Sequence, residues 1–187
     1  MANGMSPRRQ FLKSLSLTAA ASVAVGVPML AEASPSKRRT FAETFLPTWE
    51  RAKSYTVQIA EAMPEEHYNF KPVPEVRSFA EQLLHIAGSC AFFAGRVSGL
   101  TPPTQDFEVE GKSKAEIVAL TTQIFDYCSK AIGTISPDDT ETLEFFGQNL
   151  TKEQVILFMR DHVTHHRGQT VTYLRLKGFT PPQYVGF

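Results

Sequence analysis

At 187 residues, with 42 % hydrophobic and 20 % charged side chains, the chain has the balance of one globular domain able to bury a core. Nineteen basic and nineteen acidic residues cancel, but Arg8, Arg9 and Lys13 face only Glu32 within the first 33 residues, so the remainder is slightly acidic. That excludes the basic footprint of a DNA- or RNA-binding protein, and no nucleic-acid partner is expected.

The first 33 residues read as a targeting segment. Arg8-Arg9 is followed by Gln10-Phe11-Leu12-Lys13, then by an uncharged stretch from Ser14 to Leu30 rich in Ala, Val and Leu, then by Ala31-Glu32-Ala33 in the small-x-small form of a cleavage site. The Arg-Arg-x-Phe-Leu-Lys string resembles a twin-arginine export signal, although Pro7 replaces the usual residue before the first arginine. The resemblance implies an exported, periplasmic or extracytoplasmic protein whose mature domain runs over residues 34–187. An uncleaved anchor is the alternative; the apolar stretch is short for a bilayer core of ~30 Å. No later segment is apolar enough to span a membrane. In an oxidising destination Cys90 and Cys128 are free to pair, but both fall at or beside apolar stripes, which fits buried free thiols.

Four helices follow in chain order. The first runs from about Phe41 to Met63, with Phe45, Trp49, Ala52, Thr56, Ile59 and Met63 on one stripe and Pro64 ending it. Pro47 either sits in its first turn or kinks it. The second runs from Ser78 to about Ser98, with Phe79, Leu83, Ile86, Cys90, Phe93 and Val97 inward. The third runs from Ser113 to about Gly133 through Ile117, Leu120, Ile124, Cys128 and Ala131. The fourth runs from Thr151 to Lys177, with Gly178 placed to cap it and Pro181-Pro182 blocking continuation. Ser78-x-x-Glu81, Ser113-x-x-Glu116 and Thr151-x-x-Gln154 are capping boxes that fix three of the starts. The connections 64–77, 100–112 and 134–150 are long for a bundle, as loops that cover a site often are. Within the last, Leu143-Glu144-Phe145 alternates like a short extended piece. The pattern predicts an all-α, four-helix up-and-down bundle in which the second and fourth helices run parallel.

Histidine carries the chemical signal. His67 lies in a proline-rich loop beside Glu65 and Glu66 and reads as solvated. His162 and His166 stand four apart, on the face that continues through Val155, Met159, Gln169 and Tyr173. His165 lies about 100° round the helix from His166. His85 lies next to the apolar stripe of the second helix, with Gln82, Ser89 and Phe92 around it at helical spacing. A buried imidazole without partners costs about 1–3 kcal/mol. Three in one core therefore need a hydrogen-bond network or a metal. Three neutral imidazoles with an open position make a catalytic-type Zn²⁺ or Ni²⁺ arrangement. Spacing alone leaves a water-bridged polar seam open. Val163 stands where a zinc protease of the H-E-x-x-H type has its glutamate, so that chemistry is excluded.

Three further strings bear on the choice. Pro74-x-x-Arg77-Ser78-Phe79 leading to Leu83-Leu84-His85-Ile86 resembles the second-helix motif of the DinB/YfiT-like family. His162-Val-Thr-His165-His166-Arg167-Gly168-Gln169 resembles its HxxHHRGQ motif, and Tyr173-Leu174-Arg175-Leu176-Lys177-Gly178 before Pro181-Pro182 resembles its ending. The likeness spans essentially all of residues 34–187. It implies a four-helix bundle with one divalent ion held by His85, His162 and His166, and the imidazole donors suit Zn or Ni. His165, Arg167 and Gln169 stand beside the site, although arginine on a long helix is more often solvated or paired. Two functional classes follow. One is an enzyme acting on a small molecule of unassigned identity, by hydrolysis through metal-activated water or by transfer or isomerisation with a low-molecular-weight thiol; export disfavours the thiol. The other is a non-enzymatic metal-binding module. A homodimer is the assembly considered.

Overall fold

The computed structural model describes residues 39–104 and 106–185. The expected export segment, residues 1–33, lies outside them. Four helices make up the body: α1 (Phe41–Ala62), α2 (Phe79–Ser98), α3 (Lys114–Gly133) and α4 (Lys152–Leu176). Among the described residues no helix is long and apolar enough to cross a membrane.

Each helix start is fixed by its own side chains. The three expected capping boxes form, and Thr40 with Glu43 makes a fourth at α1. In each, the hydroxyl accepts from the N3 amide while the N3 side chain accepts from the cap amide, worth ~1 kcal/mol per cap. Pro47 lies inside α1, beyond its first turn, and the helix continues through it. At the end of α4, Gly178 takes φ +82°, with Gly178 N–H donating to the Arg175 carbonyl and Phe179 N–H to that of Leu174. That is a Schellman closure, which the left-handed glycine permits.

Two hydrophobic clusters mark the two ends of the bundle. One joins the first half of α1 (Phe45, Trp49) to the second halves of α2 and α3 and the first half of α4. The other joins the second half of α1 (Tyr55, Ile59) to Phe79, Leu83, Ile117, Tyr173 and Leu174. So α2 and α3 run one way, and α1 and α4 the other. The all-α four-helix bundle is as read from the sequence, but the expected parallel pairing of the second and fourth helices is corrected: they run antiparallel. The reason is the 99–113 connection, which returns along the bundle and starts α3 at the end where α2 began.

Cys90 and Cys128 are buried free thiols where α2 meets α3, with the Cys128 thiol donating to the Cys90 carbonyl at 3.6 Å. Burial pushes the Cys128 thiol well above its ordinary pKa. His67, expected to be solvated, is half-buried, its ring 5.6 Å from that of Phe179.

The alternating piece near residue 143 is one arm of a hairpin, β1 (Thr142–Phe145) antiparallel to β2 (Gln148–Thr151), with Phe145 opposite Gln148. The turn uses Phe146 and Gly147, both at positive φ, +51° and +77°. This is the backbone twist a two-residue hairpin loop requires. Phe145 goes into the core and Phe146 is left 78 % exposed at the tip.

Candidate metal centre

α2 and α4 face each other along a groove, and the antiparallel pairing brings the histidines level. His85 lies seven residues after the Ser78 cap and His166 ten before Leu176, about 10 and 15 Å from the same end of the bundle. Their rings meet at 4.4 Å between centroids; His162 is 5.0 Å from His85 and 4.5 Å from His166. One ring nitrogen from each lies within 4.8 Å of those of the other two. His166 is buried, and His85 and His162 are half-buried. Among the described residues this is the only group of three or more such side chains close enough to hold an ion.

Burial is the first cause of depressed basicity at all three imidazoles. It lowers His85 and His166 to about 4 and moves His162 in the same direction. Mutual repulsion and the charge of Arg77 add to the effect. No carboxylate is among the groups acting on them. The cluster is therefore neutral at pH 7, the form in which imidazole offers a lone pair to a metal.

His166 is oriented by a chain of amides. Its Nδ1 lies 2.9 Å from Oε1 of Gln82, which is 2 % exposed. An amide oxygen accepts, so Nδ1 carries the proton and Nε2 keeps its lone pair. Gln82 Nε2 donates to Gln169 Oε1, and Gln169 Nε2 donates to Nε2 of His165 at 2.9 Å. Each amide uses one end to accept and the other to donate, which fixes the orientation of all four side chains. His162 Nε2 is different: it is buried and has no hydrogen-bond partner among the described residues. A buried ring nitrogen without a hydrogen-bond partner, on a histidine packed against two neutral imidazoles, fits the donor set of a metal site.

The triad opens onto a cleft of about 1790 Å³. His165 and Gln169 stand at its rim and Arg77 lines it. Arg167 does not. It is 6 % exposed and points to the other side of α4, where its guanidinium lies 5.0 Å from the Tyr55 ring centre and donates to the Ala52 carbonyl at 3.4 Å. Arg167, expected to stand beside the site or else to be solvated or ion-paired, does neither, because its position on the helix carries it into the α1 interface. Burial lowers its pKa. Gln82 and Arg77 were both present in the strings around His85 without an assigned role. A glutamine three residues before a histidine ligand on one helix face was the available signal for Gln82.

Fold and site together define an all-α bundle with a histidine triad in the groove between two antiparallel helices, and the comparisons agree on the fold. The DinB superfamily model matches residues 48–170, and the chain belongs to that superfamily. It is 26 % identical over 136 residues to the uncharacterized protein YjoA of Bacillus subtilis, an alignment covering 68 % of this chain and 85 % of that one. It is 26 % identical over 150 residues to the uncharacterized protein YrdA of the same organism, covering 76 % and 86 %. Among solved structures, a DinB-like protein from Bacillus cereus superposes with a TM-score of 0.67 at 20 % identity, over 76 % of this chain and 97 % of that one. The crystal structure of YjoA superposes at 0.61 and 22 % identity, over 75 % and 96 %. At these identities the structures speak for the fold.

Proposed function

We propose that this protein is a metal-dependent enzyme whose single divalent ion, Zn²⁺ or Ni²⁺, is held by His85, His162 and His166. The observation that carries the proposal is the convergence of three neutral imidazoles, one with an unpartnered buried nitrogen, at the floor of an open cleft. A divalent ion in such a site supplies Lewis acidity and lowers the pKa of water that reaches it toward ~7. The chain's own groups do the rest. Gln82 holds His166 in the tautomer with Nε2 free, Gln169 braces Gln82, and burial keeps the triad neutral. Hydrolysis fits this arrangement, since no side-chain nucleophile lies within the triad. The open cleft favours an enzyme over a purely structural module, which has no use for a vacant approach to its ion. Residues 1–33 are proposed to direct export, with Ser34 as the first residue of the mature chain.

The test is elemental analysis of purified wild type beside His166→Ala, followed by a crystal structure with anomalous scattering. About one equivalent of metal in wild type, little in the variant and an exchangeable fourth position are expected. Equal metal in both proteins would sink the ligand assignment, and a fourth protein ligand would return the site to a structural role.

A further inference from the structure

The cleft has two unlike ends, and each presents a group that folding leaves uncommitted. Three cations line it. Lys71 pairs with Glu81 at 2.9 Å, and Arg96 lies 5.3 Å from the Phe145 ring centre with its Nη2 toward the Glu144 carbonyl. Among the described residues Arg77 has no ion pair, and its side chain is exposed to the cleft. Its backbone is nonetheless held, because the Tyr173 hydroxyl donates to its carbonyl at 2.9 Å immediately before the α2 cap. The carboxylates Glu75, Glu108 and Glu110 also line the cleft but are exposed. None acts on the histidines, whereas the charge of Arg77 reaches all three.

On the other side of the triad stands an aromatic wall. Phe92 is 54 % exposed, Phe158 43 % and Phe146 78 %, and all three line the same cleft. The rings form a continuous series: Phe146 to Phe158 at 6.1 Å, Phe158 to Phe93 at 5.4 Å, Phe93 to Phe92 at 5.4 Å, and Phe93 to His162 at 6.1 Å. Phe146 sits on a residue with φ +51°, a conformation that non-glycine side chains rarely adopt. An exposed phenylalanine kept at a strained hairpin tip contributes nothing to the core, and strain of this kind clusters at ligand sites. Along α2, Phe92 lies seven residues after His85, about 10 Å at the helical rise, while Arg77 precedes the Ser78 cap at the opposite end of the helix.

We propose that the cleft binds an amphipathic organic anion, with its carboxylate head at Arg77 beside the triad and its apolar body on Phe92, Phe146 and Phe158. This rests on the metal reading for the ion next to the head group, but the Arg77 and aromatic contacts stand without it.

The experiment is isothermal titration of the full chain, zinc-loaded and metal-free, with 8-phenyloctanoate, acetate, 8-phenyloctan-1-ol and 8-phenyloctylamine, whose chain is long enough to run from Arg77 past the triad to the aromatic wall. The acid with its aryl body should bind at least tenfold more tightly than acetate, the alcohol or the amine. Arg77→Gln should weaken the acid about tenfold and leave the alcohol unchanged, as expected for loss of one charged hydrogen bond. Arg77→Lys should recover part of the loss. Phe158→Ser should weaken acid and alcohol by the same factor. Equal binding of alcohol and acid, or an acid affinity indifferent to Arg77, overturns the proposal. Zinc content measured on the same samples separates the two readings. Arg77-dependent binding in a protein that takes up no zinc removes the metal and keeps the anion site. A zinc protein that shows no preference for the acid does the reverse.

Discussion

His166 and Arg167 are neighbours in sequence, both are buried on α4, and they serve opposite walls of the bundle. His166 turns toward α2, meets His85 and His162, and is held by Gln82. Arg167, about 100° further round the helix, enters the α1 interface against Tyr55, Ala52 and Thr56, with no carboxylate partner among the described residues. One face carries neutral polar groups with a lone pair to spare. The other carries a permanent cation satisfied by carbonyl, hydroxyl and ring. A compact sequence string thus divides into a chemical half (His162, His166, Gln169) and a packing half (Arg167, Thr170). Substitutions on the two halves should separate metal binding from stability.

The largest effect is expected at His166→Ala. Removing one of three ligands should weaken zinc binding at least a hundredfold by competition with a chromogenic chelator, while the metal-free fold stays within about 1 kcal/mol, because a desolvated imidazole leaves with it. Arg167→Ala should do the reverse. It empties a buried volume and removes the guanidinium packed on the Tyr55 ring, so a loss of about 2–4 kcal/mol in urea unfolding is expected, with zinc affinity of the folded protein unchanged. If Arg167→Ala strips the metal at intact stability, the two faces are not independent. Gln82→Ala should fall between them, with zinc affinity reduced roughly tenfold to a hundredfold as for other partners that orient a ligand imidazole. Nitrogen chemical shifts should then show His166 divided between tautomers; one fixed tautomer in the variant would deny Gln82 its role.

Acidity gives a smaller, graded effect. In the metal-free protein, burial holds His85 and His166 at about 4, below the ordinary 6.5. The unfolded chain therefore takes up protons first as pH falls. The stability these residues permit is fully present above about pH 6.5 and is lost progressively as pH drops toward 4. Urea midpoints should decline over that window, and less so in His166→Gln. An unchanged slope in that variant would place the acid sensitivity elsewhere.

Much of this division was legible in the sequence, for physical reasons that differ from residue to residue. The capping boxes at Ser78, Ser113 and Thr151 are local chemistry, so they could be read without the fold; Thr40-x-x-Glu43 carried the same signal. His162 and His166 announce a shared face because helical spacing places i and i+4 side by side. The direction of α4 relative to α2 was not legible, since it depends on where the 99–113 connection delivers α3. Phe146-Gly147 escaped notice because hairpin turns of this kind are usually signalled by Asn or Asp before glycine, not by an aromatic. Arg167 was misread because burial of an arginine without an acid partner is rare, and nothing within α4 itself reveals Tyr55 on the facing helix.

The central claim is the identity of the ligand set, and His165 provides the sharpest contrast because it adjoins His166, is exposed, and accepts from Gln169 at the rim. Zinc affinity should be measured for wild type and for His85→Ala, His162→Ala, His166→Ala and His165→Ala, each checked for helix content. The first three variants should lose at least a hundredfold, while His165→Ala stays within about threefold of wild type. Loss of zinc in His165→Ala with retention in His166→Ala would contradict it, and would place the ion at the rim of the cleft instead of its floor.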